Sequence, residues 1–191
     1  MSETLTDGEK QTLLKIARES IELVVQEKTL LKLNIDSYTP ALREHGASFV
    51  TLTVQHQLRG CIGTLEAHQP LVEDVREHAI AAALEDPRFL PVEKSELNRI
   101  RIEVSRLGAP EALSYESSED LIKKLNPHVD GVIIKYGERK ATFLPQVWEK
   151  IPDPSEFMNQ LCHKMIGQAN LWRETKLQVF TYQVEEFQEL N

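Results

Sequence analysis

The stretch HQLRGCIGTLEAH carries Arg59, Gly60, Cys61 and Gly63 within five positions. A thiol attacks as the thiolate, and a free cysteine is only about 3% ionised at neutral pH. A neighbouring guanidinium favours the charged form, and a shift of roughly two units makes it the majority species. On extended backbone, side chains two apart share a face, so the spacing places Arg59 beside Cys61. Gly60 and Gly63 leave room for a substrate or a second backbone to approach closely. A structural reading stands beside the chemical one: cysteine is a good small core residue, and glycines often mark a bend in a sheet.

A cysteine nucleophile normally works with a base. Six histidines are present, and none is singled out by its spacing. His56 and His68 flank the motif and His128 precedes Asp130, all in positions that read as surface or turn. Glu103 is better placed. With Arg101 and Ser105 it forms the polar side of the alternating run RIRIEVSRL, either as a wet face or as the wall of a cleft. In the second case Glu103 serves as a base or anchors a cationic ligand. In EDPRF, Pro87 ends a helix, while Asp86 and Arg88 form a polar pair. Arg88 then either pairs with a nearby carboxylate or grips an anionic ligand through both arms of its fork. The candidate site is therefore Cys61 and Glu103 as catalytic groups, with Arg59, Gly60, Gly63, Asp86 and Arg88 as binding groups. TFLPQVWE joins Phe143 and Trp148 through Pro145, a stiff aromatic loop that reads first as core closure and second as a rim.

Other chemistries find little support. There is no Cys-x-x-Cys, no His-Glu-x-x-His, and Cys162-His163 would diverge on a helix. Neither a P-loop nor a glycine-rich dinucleotide fingerprint occurs, so no metal and no cofactor is expected. The net charge of −8, from 22 basic and 30 acidic residues, argues against a nucleic-acid surface. The longest apolar run, AIAAAL, is far below the roughly 20 residues that span a bilayer. With no signal-peptide pattern at the N-terminus, the two cysteines read as reduced, cytoplasmic thiols.

The elements that must hold these residues are readable in outline. Thr6 and Glu9 have capping-box spacing, and Leu14, Ala17, Ile21 and Val24 recur as one stripe of a first helix that fades near Lys28. A connecting loop leads to the strand SFVTLTVQH. Pro70 opens a second helix whose stripe is Leu71, Val75, Ala79 and Ala82. The strand 99–107 follows, then a short helix near SSEDLIKKL and a hairpin turning at Gly137-Glu138. A helix over SEFMNQLCHKMI and one long final strand, KLQVFTYQVEEF, complete the chain. Alternating strands interspersed with helices favour an α+β fold with an antiparallel or mixed sheet and packed helices. A length of 191 residues suits a single domain, or a main domain with a smaller lobe. Residues 1–46 hold the first helix and its loop, and 47–187 hold the motifs.

The octapeptide LRGCIGTL resembles the signature of the AMMECR domain family, whose bacterial and archaeal members are called AmmeMemoRadiSam system protein A. AAALEDPRF, IEVSRL, GVII and TFLPQVWE follow in the family's order, so the resemblance spans roughly 47–187. Two stretches depart from the pattern: Asp130-Gly131 stands where the family often has His-Gly, and KMIGQANLW where it tends to read Lys-Ala-Gly-Leu. The resemblance implies an α+β fold of two lobes with a ligand-binding cleft between them. It also implies association with a Memo-like protein and a radical-SAM protein, and it supplies no substrate. Two functions stay open: a thiol-dependent enzyme or small-molecule binder, and a non-catalytic accessory that docks to such a partner.

Overall fold

The computed structural model describes residues 4–190, which carry six α-helices and nine strands in two antiparallel sheets. The chain divides into two compact units, one formed by Gly108–Val184 and the other by the described residues on either side of it.

The flanking unit begins with α1 (Asp7–Val25), capped as its sequence foretells. The backbone N–H of Thr6 donates to Glu9 at 2.8 Å, and that of Glu9 to the Thr6 hydroxyl at 3.3 Å. The connecting segment is not featureless, since it contains the single-turn helix α2 (Pro40–Arg43). β1 (His45–Val54) and β2 (Gln57–Gly63) form a tight hairpin. Its turn residues Gln55 and His56 have φ of 51° and 63°. His56 is thus a turn residue. β3 (Gln69–Pro70) pairs with the start of β1, and α3 (Leu71–Leu84) begins one residue after Pro70. β4 (Ile100–Leu107) lies on the other side of β1, giving the order β2-β1-β4-β9, where β9 is Val184–Gln188. Helices α1 and α3 pack together on one face of this sheet. Leu13, Ala17 and Ile21 of α1, Val72, Val75 and Ala79 of α3, and Val50, Leu52, Ile102 and Val104 of the strands form a continuous buried core. Each such aliphatic side chain contributes roughly 1.5–3 kcal/mol by leaving water.

The unit Gly108–Val184 contains the sheet β5-β8-β6-β7, made of Glu111–Ala112, Gln178–Tyr182, Gly131–Tyr136 and Arg139–Phe143. Its helices are α4 (Ser118–Lys124), α5 (Pro154–Ile166) and α6 (Leu171–Glu174). The expected turn between β6 and β7 is present, with Gly137 at φ 58°. The aromatic loop is core closure: Trp148 is fully buried, stacks on Phe157 at 3.6 Å, and donates its indole N–H to the Asp130 carbonyl at 2.7 Å. Gly131 is required because the Tyr182 ring would lie 2.3 Å from any Cβ there.

The expected single last strand is two strands. β8 belongs to one sheet and β9 to the other, parted at Gln183, whose carbonyl accepts the Gly108 N–H at 2.8 Å. No helix among the described residues is long and apolar enough to cross a membrane.

Candidate functional site

β2 is the outer strand of its sheet, and an outer strand leaves backbone groups without a ladder partner. At Cys61 two side chains supply the missing pairing. The Cys61 N–H donates to Asp86 Oδ2 at 2.8 Å, and Arg88 Nη2 donates to the Cys61 carbonyl at 3.1 Å. Asp86 and Arg88 therefore stand where a further strand would run. Both sit just past the C-terminus of α3, in a loop that Pro87 forces out of helical geometry. Their mutual fork is complete, with Nε to Oδ1 at 2.9 Å and Nη2 to Oδ2 at 2.7 Å. The Arg88 backbone N–H adds a third bond to Oδ1 at 3.1 Å.

Asp86 is only 4% exposed. The hydrogen bond from Arg88 holds its carboxyl well below the usual carboxylate range, against the opposing effect of burial, with help from the Cys61 and Arg88 N–H groups. Arg88 is shifted upward, first by its bond to Asp86, against burial, and then by the charge of Asp86. The guanidinium meets Cys61 at its backbone carbonyl. The Arg88 side chain is nonetheless 54% exposed, and its Nη1 makes no hydrogen bond among the described residues.

The sulfur lies on the sheet face away from the helices, half-buried. Cys61 is directly opposite Thr51 on β1, and Thr51 is opposite Glu103 on β4, so the three form one row across the sheet. The Thr51 hydroxyl donates to Cys61 Sγ at 3.3 Å. Glu103 is two strand spacings from Cys61, roughly 10 Å between backbones. Thr51 intervenes, and its one hydroxyl proton already points at sulfur. This excludes Glu103 as a base in direct contact with the thiol. Glu103 is half-buried, and its carboxylate has no hydrogen bond or ion pair among the described residues. Its face is less wet than the alternation suggests, since Arg101 is exposed but Ser105 is 4% exposed, opposite Phe49.

Arg59 is not beside the sulfur. Leu52 pairs with Gly60 and Thr53 with Leu58, so Arg59 is the extra residue of a β-bulge. A bulge breaks the two-residue alternation and re-aims the side chain. Arg59 forks onto Glu96, with Nε to Oε1 at 2.7 Å and Nη2 to Oε2 at 3.0 Å. The bond raises the Arg59 pKa and lowers that of Glu96. The cation that contacts Cys61 is Arg88, at the backbone carbonyl, and the Phe89 ring lies 5.9 Å from the Arg59 guanidinium and 5.6 Å from that of Arg88.

Both glycines have structural reasons. A Cβ at Gly60 would lie 2.1 Å from the Ala82 carbonyl oxygen, so Gly60 lets β2 press against the α3 backbone. At Gly63 a Cβ would meet the Phe49 ring at 2.4 Å, so the aromatic ring occupies that space. The approach inferred from sequence is made by the protein's own groups.

No histidine hydrogen-bonds Cys61 among the described residues, and His68 pairs instead with Glu66 at 3.1 Å. No group of three His, Cys, Asp or Glu side chains among them converges to hold a metal ion. Sequence reasoning missed Thr51, which needs the strand register to be found, and Glu96, which lies 37 positions from its partner.

The chain has clear relatives. It is 36% identical to a protein of Thermofilum pendens, over 97% of this chain and 92% of that one. It is 37% identical to a protein of Methanothermobacter thermautotrophicus, over 97% and 96% respectively. In structure it is similar to the uncharacterised protein PH0010 of Pyrococcus horikoshii, with a TM-score of 0.83, 31% identity, and coverage of 97% of this chain and 93% of that one. The AMMECR1 family model matches residues 14–187, and with nearly the whole chain covered, the protein belongs to the AMMECR1 family.

Proposed function

We propose that the protein binds a small molecule at the β2 edge and acts on it through the Cys61 thiol. The observation that carries this reading is the setting of Cys61: a half-buried sulfur with a hydroxyl donor at 3.3 Å, on a residue whose backbone carbonyl is held by an exposed guanidinium at 3.1 Å. Reactive thiols sit in accessible, electropositive surroundings of this kind. Arg88 binds an anionic group of the ligand through its free Nη1, Asp86 positions Arg88, and Glu103 anchors a cationic group at the far end of the row. A reduced cytoplasmic setting keeps the thiol available. Timed alkylation by iodoacetamide at pH 7 tests the reading. Cys61 is expected to react faster than the same residue in the urea-unfolded chain, and Arg88→Gln to slow it about tenfold. A native rate at or below the unfolded one, or one indifferent to Arg88→Gln, rules the reading out.

A second reading is docking to a Memo-like or radical-SAM partner, favoured by one observation. Leu90 is 84% exposed, and Leu58 is an exposed apolar residue on β2. Leu90→Glu would then abolish binding to the purified partner, whereas Cys61→Ser would leave it unchanged.

A further inference from the structure

The flanking unit holds a hollow of about 550 Å3 between α1 and the segment Asn98–Arg101, with Glu189 and Leu190 beside it. Its α1 wall is a single stripe, since Gln11, Leu14, Lys15 and Arg18 recur at steps of three and four. Leu14 and Ile100 are buried and form an apolar floor. Around the floor stand four cations, Lys15, Arg18, Arg99 and Arg101, and a single carboxylate, Glu189. This excess of positive charge occurs in a chain whose net charge is −8.

The one carboxylate is already occupied. Arg18 Nε donates to Glu189 Oε1 at 2.8 Å and its Nη2 to Oε2, and the Ile102 N–H donates to Oε2 at 3.0 Å. Two further Arg18 donors go to the Leu97 and Ile100 carbonyls, both at 2.9 Å. Arg18 and Glu189 thus form a structural clamp and neutralise each other. What remains is Lys15, loosely paired with Glu19 at 3.7 Å, and the exposed Arg99 and Arg101. Neither guanidinium makes a hydrogen bond or ion pair among the described residues. Arg99 does feel the charge of Glu96, but that carboxylate is forked to Arg59.

We infer that this hollow binds a small polyanion bearing phosphate or carboxylate groups. The two free guanidinium forks match the planar geometry of either group, and Lys15 adds a third, mobile cation. The volume falls in the range of small-molecule sites and admits a ligand of nucleotide size or less. Its body would rest on Leu14 and Ile100 while its charged groups meet the rim. Converging positive charge in an otherwise acidic protein also concentrates anions at that mouth. Its lining shares no residue with the thiol edge.

Calorimetric titration of the full chain with pyrophosphate, ATP and citrate in low-salt chloride buffer tests the proposal. At least one probe should bind with one-to-one stoichiometry. Its affinity should fall at least tenfold in the double variant Arg99→Gln/Arg101→Gln and by about threefold in Lys15→Gln. The control pair Lys28→Gln/Lys123→Gln, which removes equal charge from exposed positions elsewhere, should cost less than twofold. Binding of pyrophosphate and ATP without citrate assigns phosphate, and the converse assigns carboxylate. Silence from all three probes at millimolar concentration overturns the proposal, as does equal weakening in the control pair. Lys15→Gln keeps the test decisive if the arginine pair perturbs folding. The alkylation rate of Cys61 should be the same in every variant, so this inference and the thiol reading fail separately.

Discussion

The molecule contains two thiols in opposite settings. Cys61 lies half-buried on an outer strand, with Thr51 at its sulfur, Arg88 on its backbone carbonyl and Asp86 on its backbone N–H. Cys162 lies in α5, wholly buried in a cluster with Trp148, Phe157 and Leu161. Burial pushes the Cys162 thiol up to about 11, only partly offset by a backbone hydrogen bond from Trp172. The side chain is the same in both places. What differs is whether water and polar donors can reach the sulfur, and that depends on the position of each strand or helix within its layer.

This contrast is open to test. The largest expected effect is kinetic: in the native protein, alkylation followed by peptide mass should label Cys61 at least about a hundredfold faster than Cys162, because burial denies Cys162 both access and ionisation. Comparable rates would remove the contrast. The next concerns the support of the reactive edge. Asp86→Ala strands the Cys61 N–H and the Arg88 guanidinium without their acceptor, and urea unfolding should show a loss of about 2–3 kcal/mol. A loss under about 0.5 kcal/mol would mean the edge does not need its carboxylate. A smaller pair of effects separates packing from chemistry. Cys162→Ser puts a hydroxyl among apolar groups and should cost about 1–3 kcal/mol, while Cys61→Ser, which keeps a polar atom facing Thr51, should stay within about 0.5 kcal/mol. The smallest effect is the pH dependence of the Asp86 contribution. Its carboxyl is depressed in the folded state, so the stabilisation is fully present above the unfolded value of about 3.9 and is lost as pH falls below it. Acid titration of stability should therefore show a drop below about pH 4 that is reduced in Asp86→Ala. An identical acid limb in both proteins would assign the acid sensitivity to other carboxylates.

Local patterns were legible wherever local forces decide. The Thr6–Glu9 cap, the stripes of α1 and α3, the alternation of β4 and the Gly137 turn all follow from neighbours a few residues apart. The hairpin between β1 and β2 carries no local signal, because its left-handed turn positions hold Gln55 and His56 instead of Asn-Gly. The division of the last strand into β8 and β9 was invisible as well, since its alternation runs on past Gln183 without a glycine or proline to mark it.

Read alone, the amino-acid sequence determined the α+β class, the family, and the presence of a thiol, two guanidiniums and two carboxylates in a few short segments. Only the tertiary structure decided which of these meet. A one-residue bulge turned Arg59 away toward Glu96, and the loop after α3 brought Arg88 to the Cys61 backbone carbonyl. The physical reason is that alternation along a strand is a local property. Register, bulges and the sealing of an outer strand depend instead on groups that lie tens of residues apart and become neighbours only when the sheet closes.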